Sequence, residues 1–288
     1  MKFQGLLTAL VTPFVEGSVD EDCFRALVRR QIEGGVSGIV PCGTTGEAPT
    51  LTVDEHVEVV RWAVEVAAGK VPVMAGIGSN CTATAISTGR RVAALGVDGV
   101  LATAPYYNKP TQEGLFRHFR AIAESIDIEV CLYDVPGRTA VHIEPETVER
   151  LCEIDNITCI KDATGDMANA AEIRRRCGDR IGLLSGDDFT TLPFLALGGS
   201  GVISVASNVL PETMAGLVAA AREGRLEEAR TLSERLFPLF NALFLESNPI
   251  PVKAAMAHLN LLTDELRLPL VSMSEQPREA LIEALASL

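Results

Sequence analysis

The sequence predicts an α/β protein that folds as a single (β/α)8 TIM barrel, followed by a C-terminal appendage of about three helices. Strand patterns alternate with helix patterns along the chain, and no linker separates the units. The length of 288 residues also suits one barrel of this kind, which commonly takes about 250. We therefore expect a barrel catalytic domain over residues 1–223 and a helical appendage over residues 224–288.

The predicted strands are short runs of apolar and β-branched residues, as a parallel sheet buried on both faces requires. They cover residues 5–11, 36–42, 71–76, 99–104, 128–133, 157–161, 181–185 and 201–205. A helix pattern follows each strand, at residues 20–33, 52–68, 82–95, 111–125, 145–152, 166–177, 187–197 and 211–222. Gly34 marks the end of the first helix, and a capping box of Thr52 with Glu55 marks the start of the second. The appendage has helix patterns at residues 226–246, 251–261 and 274–288.

A doubly wound open sheet is the alternative fold, because it also alternates strands with helices. Such a sheet does not need eight strand–helix units, and no G-x-G-x-x-G motif follows the first strand. The barrel is therefore the favoured architecture.

Charge and composition indicate which partners and which compartment to expect. The formal net charge is -13, and the short basic run at residues 174–176 lies on a predicted helix, so nucleic acid is not an expected partner. No apolar run approaches the roughly 20 residues of a membrane span, and the N-terminus has no signal-peptide pattern. The seven cysteines include no C-x-x-C pair, which predicts free thiols and a cytoplasmic protein. No two histidines have metal-ligand spacing, so no metal site is expected.

Lys161 stands at the end of the sixth strand pattern, at the edge of the barrel where active sites of this fold collect. A partly desolvated amine there is a nucleophile suited to imine formation with a carbonyl substrate. The alternative is a lysine that reaches solvent or pairs with Asp162. The chain has five lysines, of which Lys2 is terminal, Lys70 precedes a strand, Lys109 is in a loop and Lys253 is on an appended helix. Lys161 is the lysine that we expect to point into the barrel mouth.

Polar side chains also collect at the ends of other predicted strands. The three tyrosines, Tyr106, Tyr107 and Tyr133, all lie there, and together beside Lys161 they favour a functional site over chance placement at the rim. Residues 43–46 read Gly-Thr-Thr-Gly, whose backbone N–H groups and hydroxyls suit a small carboxylate. An ordinary turn is the alternative.

Charged residues near the same strand ends divide between binding and structural roles. Arg138 has a guanidinium fork suited to a carboxylate, with a surface ion pair as the alternative. We expect Glu47 to bond loop amides rather than to act as an acid. We expect Asp187 and Asp188 to cap the helix after the seventh strand.

These segments resemble the pyruvate-dependent class I aldolases, the family of N-acetylneuraminate lyase, and within it most closely the dihydrodipicolinate synthases. The resemblance rests on residues 43–47, 133–139 and 160–165, in this order and spacing. Further similar segments are residues 105–108, 184–188, 201–204 and 248–253. Together they extend over nearly the whole chain.

The resemblance implies which residues carry out catalysis. Lys161 would form an imine with pyruvate. Tyr133, Thr44 and Tyr107 would form a hydroxyl proton relay, with Tyr107 contributed by a neighbouring subunit. The resemblance also implies that no metal and no organic cofactor is needed, since the covalent imine between the lysine and pyruvate takes the place of a cofactor.

The resemblance also implies how substrates bind. Thr45, with the backbone of Thr44, would hold the pyruvate carboxylate. Arg138 would receive the carboxylate of the second substrate, L-aspartate 4-semialdehyde. The main chain near Gly186 and Ile203 would line the pocket. The implied assembly is a homotetramer, a dimer of dimers.

Two departures from the synthase pattern keep related activities open. Asn commonly follows the strand-five tyrosine and Glu often follows the lysine, where this chain has Asp134 and Asp162. An aldolase or dehydratase of another 2-keto acid, of the 2-keto-3-deoxy sugar acid or N-acetylneuraminate type, is therefore the alternative. A non-catalytic barrel that binds a keto acid is a remote alternative, which the joint presence of the four implied catalytic residues disfavours.

The resemblance bears on regulation by L-lysine as well. His56, Asn80 and Tyr106 match the positions that bind lysine in lysine-sensitive members. Val53 stands where those members commonly have histidine, and Thr84 where they have glutamate. A threonine hydroxyl cannot neutralise the ammonium of a bound lysine. We therefore expect lysine to inhibit weakly or not at all.

Overall fold

The computed structural model describes residues 2–288 and contains an eight-stranded parallel sheet that closes almost completely into a barrel. Numbered along the chain, barrel strands one to eight are Gly5–Ala9, Gly38–Val40, Met74–Gly76, Gly99–Thr103, Glu129–Asp134, Ile157–Asp162, Gly182–Ser185 and Gly201–Ser204. Hydrogen-bonded neighbours follow the order two, one, eight, seven, six, five, four, three. A further parallel bridge between Ile39 and Val73 brings the two outer strands of that order together. The predicted (β/α)8 barrel is confirmed.

Helices lie around the barrel and continue beyond strand eight. Those that follow the strands are Glu21–Glu33, Val53–Ala67, Thr82–Ala93, Gln112–Ala123, Pro145–Leu151, Met167–Cys177, Thr191–Ala196 and Pro211–Arg222. The C-terminal helices are Leu226–Ala242, Ile250–His258 and Glu275–Ala286, which confirms the predicted helical appendage. The capping box is also present, since Thr52 and Glu55 each accept the backbone N–H of the other.

Three local features differ from the sequence-based expectation. A hairpin, Phe14–Val15 with Ser18–Val19, was not predicted, because strands of two residues are too short to show an alternating pattern. A one-turn helix, Pro136–Thr139, lies in the connection after strand five. The helix expected over residues 187–197 begins instead with a separate 3-10 turn, Asp188–Thr190.

The apolar core has two layers, one inside the barrel and one between the barrel and the helices. The inner layer consists of Phe3, Leu7, Ala9, Val40, Met74, Leu101, Cys131, Tyr133, Val135, Cys159, Leu184 and Ile203. Along strand six, Cys159 belongs to the inner layer and Ile160 to the outer one. Because side chains alternate along a strand, Lys161 follows Cys159 into the barrel interior.

A buried ion pair attaches the appended helix Ile250–His258 to the turn after strand two. The Nζ of Lys253 donates to Glu47 Oε1 at 2.7 Å and to the carbonyl of Thr12 at 2.9 Å, and neither charged side chain is exposed. The other carboxylate oxygen of Glu47 accepts the backbone N–H of Arg267. The expectation that Glu47 is structural and bonds a loop amide is confirmed, although that amide belongs to the appendage. The sequence had not indicated the counter-ion Lys253.

We predict that Lys253→Met lowers the free energy of unfolding by about 3–5 kcal/mol, because Glu47 is left buried without a counter-ion. The double variant Lys253→Met, Glu47→Gln should recover part of the loss, since it removes both charges. Lys70→Met, at an exposed lysine, is the matched control. Urea unfolding measures these differences, and an equal loss in the single and double variants would contradict the ion-pair account.

Candidate active site

The pairing of strands five and six places Lys161 beside Tyr133. The two residues are register partners, and Lys161 Nζ lies 4.2 Å from the centroid of the Tyr133 ring. Each of these residues is only 5% exposed. The face of a phenol ring attracts an ammonium group, so Tyr133 holds the amine where little water reaches it.

A β-bulge earlier in this strand pair determines the contact. Between the partners of Val130 and Cys131, strand six has one extra residue, Thr158. Without this register shift, continuous pairing from Val130 and Ile157 would put Tyr133 opposite Ile160, which packs in the outer layer of the core. The bulge therefore aligns the phenol with the lysine, and no sequence pattern had indicated it.

The turn after strand two presents backbone N–H groups and threonine hydroxyls. The N–H of Glu47 donates to the carbonyl of Thr44 and closes the turn. Within the part of the chain that the structure describes, no protein acceptor takes the N–H of Thr44 or of Thr45. Thr45 is 2% exposed, and its hydroxyl accepts a hydrogen bond from Nδ2 of Asn248 at 2.9 Å. Two free N–H groups beside a hydroxyl suit a small carboxylate.

Asn248 connects this turn to the arginine that follows strand five. Its backbone carbonyl accepts a hydrogen bond from Nη2 of Arg138 at 3.0 Å. Arg138 lies in the one-turn helix and is exposed, so its other guanidinium N–H groups remain free for a ligand. Asn248 was not predicted as a site residue, and its only signal in the sequence was its place in the similar segment 248–253.

A cavity of about 410 Å³ includes Thr44 and Arg138 in its wall. The same wall contains Val53, His56, Thr84 and Tyr106. No Asp or Glu from residues 2–288 lines this cavity, and burial lowers the pKa of His56. Among residues 2–288, Arg138 is therefore the only charged group that lines the cavity. Lys161 and Tyr133 are not in its wall and lie buried in the barrel.

Two aspartates follow strand seven, and the prediction that they cap the next helix is wrong. Asp188 is buried, and its Oδ2 accepts the backbone N–H groups of Val205 and Ala206 at 3.0 and 2.8 Å. It therefore connects strand seven to strand eight. The Asp187 side chain makes no capping hydrogen bond.

Asp187 has a different environment, beside the lysine. Burial raises the pKa of Asp187 to about 6, although the Lys161 ammonium acts in the opposite direction. A carboxyl group with a raised pKa that interacts with a candidate nucleophile is a candidate functional residue. Its signal in the sequence is an acidic residue at a strand end, a position that also suits a helix cap.

The remaining predicted site residues are divided between the barrel and the surface. Ile203 is fully buried in the inner layer, and the N–H of Gly186 donates to the carbonyl of Asp162 at 2.7 Å. A Cβ at Gly186 would lie 2.5 Å from the Cβ of Ala163, so glycine is required there. Tyr107 is 89% exposed and is not part of the cavity wall. Its own chain therefore leaves Tyr107 outside the site.

Three observations concern the rest of the described chain. Residues 2–288 contain no group of three or more His, Cys, Asp or Glu side chains that could hold a metal ion. No helix in that range has the length and apolar character needed to cross a membrane. The seven cysteines are free thiols.

Comparison with known proteins gives one consistent result. The sequence profile of the dihydrodipicolinate synthetase family matches residues 2–288. The chain is 52% identical over 285 residues to the 4-hydroxy-tetrahydrodipicolinate synthase of Pelobacter propionicus. The aligned region covers 99% of this chain and 98% of that protein. It matches the structure of the 4-hydroxy-tetrahydrodipicolinate synthase of Methylacidiphilum fumariolicum with a TM-score of 0.98 and 46% identity, over 99% of this chain and 96% of that one.

A second solved structure was determined with a ligand. It is the chloride-inhibited dihydrodipicolinate synthase of Acinetobacter baumannii, complexed with pyruvate. The two structures match with a TM-score of 0.97 and 43% identity, over 99% of this chain and 98% of that one. The resemblance noted in the sequence is confirmed. The chain belongs to the dihydrodipicolinate synthetase family.

Proposed function

We propose that the protein catalyses the Schiff-base condensation of pyruvate with L-aspartate 4-semialdehyde to give 4-hydroxy-tetrahydrodipicolinate, a step of lysine and diaminopimelate biosynthesis. It is a lyase of the class I aldolase type. The observation that carries the proposal is the buried contact between Lys161 and Tyr133. A relative that is 52% identical over 99% of the chain has the name of this activity.

Lys161 supplies the nucleophile for the first half of the reaction. Its neutral amine attacks the C2 carbonyl of pyruvate, water leaves, and an imine to Nζ forms. Loss of a methyl proton then gives the enamine. Tyr133, Thr44 and the Tyr107 of a neighbouring subunit transfer the protons, because a chain of hydroxyl groups can both accept and donate them.

The turn after strand two holds the carboxylate of pyruvate. The Thr45 hydroxyl and the N–H groups of Thr44 and Thr45 are its donors, and they have no competing protein acceptor within the described residues. The main chain near Gly186 and Ile203, at strands seven and eight, lines the pocket for pyruvate in this proposal. The Arg138 guanidinium binds the carboxylate of the second substrate, which suits its exposed position at the cavity.

The second half of the reaction releases the lysine. The enamine carbon attacks the aldehyde carbon of L-aspartate 4-semialdehyde. The amino group of that substrate then attacks the imine carbon, displaces Lys161 and closes the ring. No metal or organic cofactor takes part, because the protonated imine itself withdraws the electrons.

The active assembly is a homotetramer built as a dimer of dimers, in the cytoplasm. The exposed Tyr107 supports this assembly, since a residue that is 89% exposed in its own chain is free to enter a neighbour's site. Free thiols at all seven cysteines support the reducing compartment.

An aldolase of another 2-keto acid is the competing function, because Asp134 and Asp162 replace the commoner residues of the synthase pattern. Purified protein supplied with pyruvate and a panel of aldehydes decides between them. We expect L-aspartate 4-semialdehyde to be consumed fastest, with the cyclic product formed, and chelators to leave the rate unchanged. Faster use of a sugar-derived aldehyde would contradict the proposal, and a reaction without pyruvate is the blank.

We predict that millimolar L-lysine inhibits the enzyme weakly or not at all. The cavity whose wall includes Val53, His56, Thr84 and Tyr106 has no carboxylate among the described residues that line it. The missing charge-assisted partner costs about 2–5 kcal/mol of binding. Initial rates across a lysine series measure the effect, with L-norleucine as the control that lacks the side-chain ammonium.

The double variant Val53→His, Thr84→Glu should become sensitive to lysine but not to norleucine. Half-inhibition of the unaltered enzyme well below a millimolar would contradict the prediction. Another residue would then have to supply the negative charge.

A further inference from the structure

We propose that His142 is a positioning residue for the Lys161–Tyr133 pair, acting through the carboxylates of Asp134 and Asp162. This inference rests on the proposed function, since it concerns the imine that Lys161 forms. Asp134 directly follows Tyr133, and Asp162 directly follows Lys161. Asp134 and Asp162 are themselves register partners at the ends of strands five and six.

The two carboxylates lie on the opposite face of the sheet from the reacting residues. Because side chains alternate along a strand, Asp134 and Asp162 point away from the barrel interior. Asp134 is completely buried and Asp162 is 3% exposed. Two buried carboxylates side by side repel each other, so this strand pair needs compensating charge or hydrogen bonds.

His142 and a neighbouring asparagine supply that compensation. His142 Nδ1 lies 2.6 Å from Asp134 Oδ2. Asn169, from the helix Met167–Cys177, donates its Nδ2 to Asp162 Oδ2 at 3.0 Å and also interacts with His142. We call Asp134, His142, Asn169 and Asp162 the His142 network. It spans the ends of strands five and six directly behind Tyr133 and Lys161.

The network is not fully satisfied on the Asp134 side. Asp134 Oδ1 is buried and has no hydrogen-bond partner, whereas the other oxygen of Asp162 accepts both the N–H and the hydroxyl of Thr164. His142 is therefore the cationic partner of Asp134, and the backbone N–H of Ile143 is a further, neutral donor to this carboxylate. The backbone carbonyls of Asp134 and Asp162 also accept the N–H groups of Ala163 and Gly186, so movement of these residues reaches strand seven.

The charge on His142 depends on pH in the range where the enzyme would work. The charged groups that face its ring are Asp134 from strand five and Asp162 from strand six. Two neutral residues also contact His142. Asn169 bonds its side chain, and Gln112, from the helix Gln112–Ala123, donates to its backbone carbonyl. The hydrogen bond to Asp134 raises the pKa of His142, and burial raises the pKa of Asp134.

A raised histidine pKa fixes the direction of the effect. The attraction between imidazolium and carboxylate is complete below the ordinary histidine pKa, as long as the pH stays above the pKa of Asp134. It is lost as pH rises through the higher value in the folded protein. Above that value the two carboxylates face each other without a cation, and the strand ends that carry Tyr133 and Lys161 lose their alignment.

The test is the rate of imine formation with pyruvate alone, trapped by borohydride, as a function of pH. Asp134→Asn removes the buried charge with little change in shape. The proteins to be compared are the wild type, His142→Asn, Asp134→Asn and the double variant. His258→Asn, at an exposed histidine, is the matched control. Thermal unfolding of each variant accompanies the rates.

We expect His142→Asn to slow imine formation by about tenfold or more, since a shift of about 1 Å in a reacting group can cost about 100-fold. The pyruvate concentration for half-maximal trapping should stay the same, because the carboxylate site is elsewhere. In the Asp134→Asn background the same histidine change should cost nothing further. The rate decrease that accompanies loss of the His142 proton in the wild type should be absent from Asp134→Asn.

Two results would overturn the inference. One is a His142→Asn protein with the wild-type rate and pH profile. The other is an equal loss in both backgrounds, which would mean that His142 does not act through Asp134. If His142→Asn does not fold, comparison of the wild type with Asp134→Asn still tests the inference. Identical pH profiles of imine formation in these two proteins would refute the role of the His142 network. This test uses pyruvate alone. Its result is therefore independent of whether L-aspartate 4-semialdehyde is the second substrate, which the aldehyde panel tests.

Discussion

The alignment of strand five with strand six is the constraint on which the site depends. It puts an amine and a phenol together in the barrel interior, where each is 5% exposed. A slip of one residue would turn one of the two side chains towards the outer layer of the core. The extra residue Thr158 prevents that slip, and its hydroxyl bonds Glu129 Oε2 at 2.7 Å on the adjacent strand.

The appendage completes the site from outside the barrel. Asn248 donates a hydrogen bond to Thr45 in the turn after strand two. Its backbone carbonyl accepts a hydrogen bond from Arg138 in the loop after strand five. Lys253, a few residues later, neutralises Glu47 in the same turn. The C-terminal appendage therefore fixes the two loops that we assign to the two substrate carboxylates. This explains why a barrel of this length carries an extension that supplies no nucleophile.

Much of the fold could be predicted from the sequence because it depends on local periodicity. Each barrel strand is a short apolar run followed by a helix with one apolar face, and these patterns are visible within a dozen residues. Lys161 was also predictable, since a lysine at the end of a buried strand has no packing role. The hairpin at residues 14–19 could not be found in this way, because its strands are too short to show a period.

What the sequence did not reveal are contacts between residues far apart along the chain. The partner of Lys253 is 206 residues away, so its burial leaves no local trace. Asp188 looked like a helix cap because it stands before a helix. Its hydrogen bonds go instead to backbone groups after strand eight. His142 likewise had no motif, and only the folded strand pair brings it to Asp134.

The central claim is that Lys161 forms a covalent imine with pyruvate. The most direct measurement is borohydride reduction in the presence of pyruvate, followed by mass spectrometry of the intact protein and its peptides. The account predicts one reduced pyruvyl group per chain, located on Lys161, and no label on a Lys161→Arg variant. An adduct on another lysine, or no adduct on a folded protein, would contradict it.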